Sequence, residues 1–356
     1  MTVYTCLPAN SGNGAPAIQA LLDKMAFGDR LILRGIHRVA PWSNLSGPDA
    51  VLRARRGTIE FDPHADGLIV YDGVPPGMDV FVYNPGADTI DSQPLVLTPR
   101  ILPSGQVANG RHALAIYTTT PGGNIQRSGV IGHGVLGLTH GRSLWVENDH
   151  AKNPSALAKN QFLDLICYSS IRAVGIADHN VFKRISIPMG APLGFEASTS
   201  FIAGAALNEL SDATVTGTGG GIVISSGAGW NVNRCFIELR GPLQDVRSGY
   251  AAVYFSGNVA QVESIHVTDN AFVVPPDATG YFAVVRFGNV TGRFAHNRIV
   301  GSASTLGQLP HIGLYLDEAY PDAKVVFGHN WHAGLAQVIY DPAGRAVFEM
   351  PIEKWN

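Results

Sequence analysis

RFAHNRIV, residues 293–300, decides the fold of this chain. An asparagine stands at its centre and a short apolar tail follows. VTDNAFVV at 267–274 and VVFGHNWH at 325–332 repeat the phrase on either side. Self-similarity at a spacing of roughly 20–50 residues marks a stacked repeat, in which each unit covers the apolar face of the next.

Outward from that phrase, strand-like runs recur along most of the chain. They are HALAIY from 112, SLWVEN from 143, IRAVGI from 171, LGFEAS from 193, GIVISS from 221, AAVYFS from 251, FAVVRF from 282, IGLYLD from 312 and QVIYDP from 337. The steps between starts are 22 to 31 residues. Each run is short, partly alternating, and bounded by glycine, asparagine, serine or proline, which is a strand signal. A second run follows in each unit. It is led by Asn160, Asn180, Asn233, Asn270 or Asn297, with Asn330 late in its own run. A short amide bonds nearby backbone and tolerates turn geometry. Every copy is therefore expected at the same corner of a coil, with stacked amides bonding one another. Units of this length with two or three strands predict an all-β parallel β-helix. An antiparallel sandwich would require hairpins with tight two-residue turns. Loops such as GSASTLGQLPH at 301–311 are longer and irregular.

Composition agrees with a packed solenoid. Of 356 residues, 46% are hydrophobic and 15% charged, which excludes a disordered or highly charged helical chain. The net charge of -3 and the lack of a basic block argue against a nucleic-acid partner. No apolar run reaches the length of a membrane span, so no membrane partner is expected. The opening MTVYTCLPAN lacks the basic region and apolar run of a signal peptide. A cytoplasmic or phage-released protein fits that opening, with action outside the cell left open. Cys6, Cys167 and Cys235 lie far apart and read as unpaired.

The first residues differ from the rest. In GNGAPAIQALLDKMAFGDRLILRGIHRV, residues 12–39, Ile18, Leu21, Leu22 and Met25 follow helical spacing. Pro16 suits a first turn, Gly28 a helix stop, and Gly35 a break between two strands. A solenoid needs an atypical first unit over its open end, and this helix is expected to be that cap. The predicted organisation is a cap over 1–40, first coils with an irregular insertion over 41–110, and the main coil over 111–356. Arg53, Arg55 and Arg56 read as a solvated strand face.

This helix–strand–glycine–strand order resembles the opening of the pectate-lyase-like superfamily, in its branch of phage tailspikes and polysaccharide-degrading enzymes. AIQALLD at 17–23 and GDRLILRGIHRV at 28–39 carry the resemblance. His37 stands where a tyrosine is commoner, and the aspartates that usually precede the helix are absent from GNGAP. The resemblance implies a right-handed parallel β-helix, carbohydrate chemistry and a homotrimer.

Chemistry on such a coil must stand outward, because the interior is packed with apolar side chains. Alternation places Trp145, Glu147, Glu196, Tyr254, Arg286, Tyr315 and Asp317 outward on equivalent strands. Such a face would offer rings to sugars, and cations and carboxylates to hydroxyls and charged groups. The densest cluster is WVENDHAKN at 145–153, with Glu147, Asp149, His150 and Lys152; Arg172, Asp178 and His179 follow one coil later. Coils about 5 Å apart put carboxylates at spacings suited to glycoside hydrolysis. The expected reaction is therefore carboxylate acid–base hydrolysis of a polysaccharide or oligosaccharide. Glu196 would be the acid, with Asp178 or Glu147 activating water or attacking the sugar. Trp145, Tyr254 and Tyr315 would hold sugar rings. Arg172 or Arg286 would orient hydroxyls or a uronate, with Asp149, His150, His179 and Asp317 lining the site. A lyase, an epimerase, a fructan-type transferase and a non-catalytic glycan-binding coil are the alternatives. No metal or cofactor is expected: His133, His140 and His150 lie in coil-and-turn sequence, and GTGGG at 217–221 lacks the lysine and helix of a phosphate loop.

Overall fold

The computed structural model describes residues 1–10, 12–42, 49–105, 108–149, 153, 156–188, 199–204, 207–217, 220–239, 251–257, 261–275, 278, 283–301 and 312–349. The chain divides into two compact units, Met1–Ser186 and Ile187–Asn356. Each unit is a parallel β-helix whose coils run through three main sheets, and in the first unit Thr89–Asp91, Asn124–Gln126 and Leu157–Ala158 add a further short parallel sheet.

One coil of the first unit shows the pattern. Arg142–Asn148 lies in the first sheet, Gln161–Leu163 in the second and Leu165–Cys167 in the third. The next coil lays Ile171–Val174 and Val181–Lys183 parallel on the first two. The side-chain period of two sorts residues by face. Leu114, Leu144 and Ile171 share an inward column, while Ala115, Trp145 and Arg172 share an outward one. Inside, Phe162 and Phe182 stack at 4.7 Å. Over 49–105 the coil runs through strands such as Ala50–Ala54, Leu68–Tyr71, Asp79–Tyr83 and Arg100–Pro103.

The second unit repeats the scheme. Ala251–Phe255, Ala283–Phe287, Ile312–Leu316 and Gln337–Tyr340 are parallel neighbours in its first sheet. Val253, Val285, Leu314 and Ile339 form one inward column. Phe287 meets Phe294 and Phe327 edge-on, at 5.4 and 5.6 Å between centroids. The expected strand LGFEAS lies outside the described residues. Within the first sheet the strand described before Gly220–Ala228 is Thr199–Gly204, paired with it in parallel.

The asparagines are stacked, but not all at one corner. In the first unit the rungs precede the second sheet. Asn160 Oδ1 accepts from Ser128 N–H at 3.0 Å, and Asn180 Oδ1 accepts from Asn160 N–H at 3.1 Å. In the second unit the rungs follow the second sheet and lead into the third. Asn270 Oδ1 accepts from Cys235 N–H, Asn297 Oδ1 from Asn270 N–H, and Asn330 Oδ1 from Asn297 N–H, at 2.8, 3.1 and 2.9 Å. Asn233 is not a rung, because Cys235 holds that place. Its thiol donates to the carbonyls of Asn233 and Leu210, at 3.3 and 3.6 Å. The Asn297 amide does the same toward Ala295 and Val267, both at 2.9 Å. The residue before every rung except Asn330 is left-handed: Lys159, His179, Arg234, Asp269 and His296 have φ between 52 and 60°. The corner costs strain at one residue, and the following amide offsets it by satisfying buried backbone.

The cap forms as expected over Ala15–Leu22, with proline in its first turn. It ends at Leu22; Gly28, at φ 78°, instead turns the chain into Arg30–Leu33. Gln19 is its working residue. The buried amide accepts from Arg53 N–H at 2.8 Å and donates to Arg53 O at 2.9 Å. It thus stands in for a missing strand neighbour at the start of the first sheet. Cys6, Cys167 and Cys235 are free and buried. Among the described residues no helix is long and apolar enough to cross a membrane.

Candidate functional site

On the first unit, the outward face of the first sheet gathers a compact polar set. Trp145 packs over an apolar floor of Ala50, Val82 and Ala115, beside Tyr117. Its indole N–H donates to Glu147 Oε2 at 2.8 Å, because residues two apart on a strand share a face. Register places Arg172 beside Trp145, and its guanidinium lies 4.9 Å from the indole centroid. His112, from the preceding coil, stacks on Trp145 at 4.6 Å and 19°. The indole is therefore held between a ring on one side and a cation on the other, which leaves its edge rather than its face to a ligand. Among the described residues Arg172 makes no ion pair, and its Nε has no hydrogen-bond partner.

A buried anion anchors the same face. Asp79 is fully enclosed and receives both arms of Arg111, at 2.8 and 2.7 Å. The Tyr117 hydroxyl donates to Asp79 Oδ2 at 2.8 Å and accepts from Arg111 Nη2 at 3.2 Å. Burial, and then the Asp79 charge, hold the phenol of Tyr117 well above its usual range, so it stays protonated. The bond to Asp79 fixes Arg111 as a cation. Burial pulls His112 down to about 4, which keeps its ring neutral near neutral pH. Tyr117 and Glu147 are register neighbours, so the anchored network borders the Trp145–Glu147–Arg172 group.

On the second unit, Tyr254, Arg286, Tyr315 and Tyr340 form one outward column. Arg286 lies 4.7 Å from the Tyr254 ring centroid and 5.6 Å from that of Tyr315. Its Nη2 donates to Asp317 at 3.1 Å.

The structure thus brings Trp145, Glu147 and Arg172 together on one unit, and Tyr254, Arg286, Tyr315 and Asp317 together on the other. Asp178 and His179 stand elsewhere, exposed at the left-handed corner before Asn180, where the Asp178 carbonyl accepts from Lys159 N–H at 2.8 Å. Asp149 follows the end of its strand, its carbonyl accepting from Asn153 N–H at 2.8 Å. Glu196 and His150 lie outside the described residues. Asp79, Arg111, His112, Tyr117 and Tyr340 were not singled out from sequence. A signal existed: Asp79, His112 and Arg142 open successive strands at offsets of 33 and 30 residues, close to the coil length, and Arg111 directly precedes one of them. Among the described residues no group of three or more His, Cys, Asp or Glu is placed to hold a metal ion.

No family model matches the chain, and no curated protein matches it. Solved structures do. The enzymatically active domain of tailspike protein 2 of bacteriophage CBA120 is 9% identical, with a TM-score of 0.48; the match covers 96% of this chain and 44% of that one. The chain therefore spans less than half the length of that domain. An alginate lyase from Paenibacillus sp. str. FPU-7 is 10% identical, with a TM-score of 0.37, over 97% of this chain and 99% of that one. The A-module of a mannuronan C-5 epimerase from Azotobacter vinelandii is 12% identical, with a TM-score of 0.38, over 97% of this chain and all of that one. In fold, the chain is a parallel β-helix with an N-terminal helical cap. The expectation of acid–base hydrolysis is corrected here. The two matches that carry a named reaction are a lyase and an epimerase, and neither is a hydrolase.

Proposed function

We propose that the chain is a carbohydrate-active enzyme that removes the proton beside a uronate carboxyl of an acidic polysaccharide, leading to elimination. One observation carries this reading: Arg172 is an outward cation with no ion pair among the described residues, one residue column from Glu147. Removing a proton beside a carboxylate builds a second negative charge on that carboxyl, and a positioned guanidinium stabilises it. Hydrolysis of a glycosidic bond has no such requirement.

Glu147 is the base in this scheme. One of its oxygens is held by the Trp145 indole, which leaves the other for the substrate. It takes the proton at C5, and the electron pair moves into the carboxyl group held by Arg172. Collapse forms the C4–C5 double bond and breaks the C4–O bond; the leaving oxygen takes the proton that Glu147 holds. Return of a proton to the opposite face of C5 would give epimerisation instead. Tyr117 is a poor base, since its proton is committed to Asp79. It fixes the wall of the site with Arg111.

The test is a panel of alginate, pectate and hyaluronan, followed by ultraviolet absorbance of the unsaturated product and by mass. Glu147→Gln and Arg172→Gln should each lower turnover by about 10²-fold or more while the fold is kept. Full activity in both variants would remove the assignment. The homotrimer implied by the tailspike resemblance is kept as a proposal; sedimentation equilibrium should return three chain masses of 37.8 kDa, and a single one would overturn it.

A further inference from the structure

The outward column of the second unit differs in kind from the Arg172 site. Tyr315 and Tyr340 stack at 5.1 Å with their planes 1° apart. Arg286 fills the space between Tyr254 and Tyr315. Tyr315 therefore has Tyr340 on one side and the guanidinium on the other, while Tyr254 and Tyr340 each turn one face to a neighbour in the column. Arg286 is also neutralised by Asp317, with both side chains about four-fifths covered at 19% and 18% exposure. A paired cation of this kind has little net attraction for an anion.

We infer that this column binds an uncharged, hydroxyl-rich stretch of a glycan chain lying along the coil axis. The ring-to-ring step of 5.1 Å between adjacent coils is about the length of one pyranose unit, so successive sugars meet successive side chains of the column, a phenol on three coils and Arg286 on the other. Each phenol both donates and accepts. Asp317 accepts from a hydroxyl, while Arg286 donates to a ring or hydroxyl oxygen. Burial lifts the phenols of Tyr254 and Tyr315 above their usual range, so they remain donors across the working pH range. The inference rests on the proposed function only for the ligand being a sugar chain; the chemistry it selects is the opposite of that at Arg172.

The test measures binding by calorimetry, using hexasaccharides of mannuronate, guluronate and galacturonate, each beside its carboxyl-reduced, neutral form. The full chain carrying Glu147→Gln is used, so that nothing is turned over. At least one neutral form should bind, with a Kd that changes less than twofold between low and high salt. Tyr254→Phe, Tyr315→Phe and Asp317→Asn keep the rings or the shape, and each should weaken that binding about fivefold or more. Arg172→Gln should leave it unchanged. No binding of any neutral form, or binding lost in Arg172→Gln but kept in the three second-unit variants, would overturn the inference. Absence of turnover in the wild-type protein, with this binding intact, would count against the proposed reaction and not against the site.

Discussion

The two units solve the same problems with opposite charges. Each must bury an ionised group near its outward column. The first encloses an anion, Asp79, and satisfies it with Arg111 and Tyr117. The second encloses a cation, Arg345, and satisfies it with the carbonyls of Ala323, Phe287, Asp317 and Gly288, at 2.6 to 3.1 Å. Each unit also lines up cations and rings on its first sheet. Arg172 is left without an ion pair among the described residues, while Arg286 is paired with Asp317. The lesson is that a shared coil geometry fixes where side chains stand, and local pairing decides what chemistry they can offer.

Breaking the buried charges gives the largest expected effect. Arg345→Met removes the guanidinium from four carbonyls. Among the described residues those of Phe287, Gly288 and Asp317 keep a backbone donor and that of Ala323 does not, so the second unit should lose several kcal/mol in denaturant unfolding. Arg111→Met strands the enclosed Asp79 and should cost about 3–5 kcal/mol in denaturant unfolding. Asp79→Asn in the Arg111→Met background should recover part of that loss, since the uncompensated charge is gone. If Arg111→Met unfolds like the wild type, the enclosed anion is not the anchor of the first unit.

Acid comes next. His112 in the first unit and His332 in the second are both pushed down to about 4 by burial. Their folded-state values lie below the unfolded value near 6.5. The stability they contribute is therefore present above about pH 6.5 and is lost as pH falls toward 4. For His112 the full loss is about 3 kcal/mol on a shift of this size. His112→Gln should flatten the decline of Tm between pH 6.5 and 4. An unchanged slope in that variant would contradict the buried, neutral ring.

The corners supply the smallest and sharpest contrast. Asn297→Ala removes an amide that satisfies backbone on two coils, and should cost about 2 kcal/mol. Asn233→Ala touches no rung and should cost less than about 0.5 kcal/mol. Cys235→Asn restores an amide to the rung and should be neutral or stabilising by about 1 kcal/mol. Equal losses at Asn297 and Asn233 would show that the ladder has been placed wrongly.

Much of this was legible in the sequence, for identifiable reasons. Strand alternation has a period of two, so Trp145, Glu147, Tyr254, Arg286 and Tyr315 could be placed outward from short runs. The cap could be read from its helical spacing, and Gln19 was visible inside AIQALLD. The corners were half legible. Linear spacing shows that asparagines recur, but it does not show which sheet follows them, so two different corners read as one. Cys235 was hidden because a thiol takes the rung without resembling an amide. Asp79, Arg111 and His112 were missed because they stand at or just before the start of their strands, where alternation is weakest and the neighbour that matters lies one coil away. Whether Trp145 and the tyrosines offer faces or edges was not legible, because that depends on what stacks against them from the adjacent coil.

The most direct test of the central claim is to run the reaction on a polyuronate in heavy water and examine C5 by NMR and mass. Proton removal at that carbon predicts a C4–C5 unsaturated end, or deuterium at C5 where a proton is returned, with both signals lost in Glu147→Gln. Saturated, newly formed reducing ends with ordinary hydrogen at C5 would contradict the account.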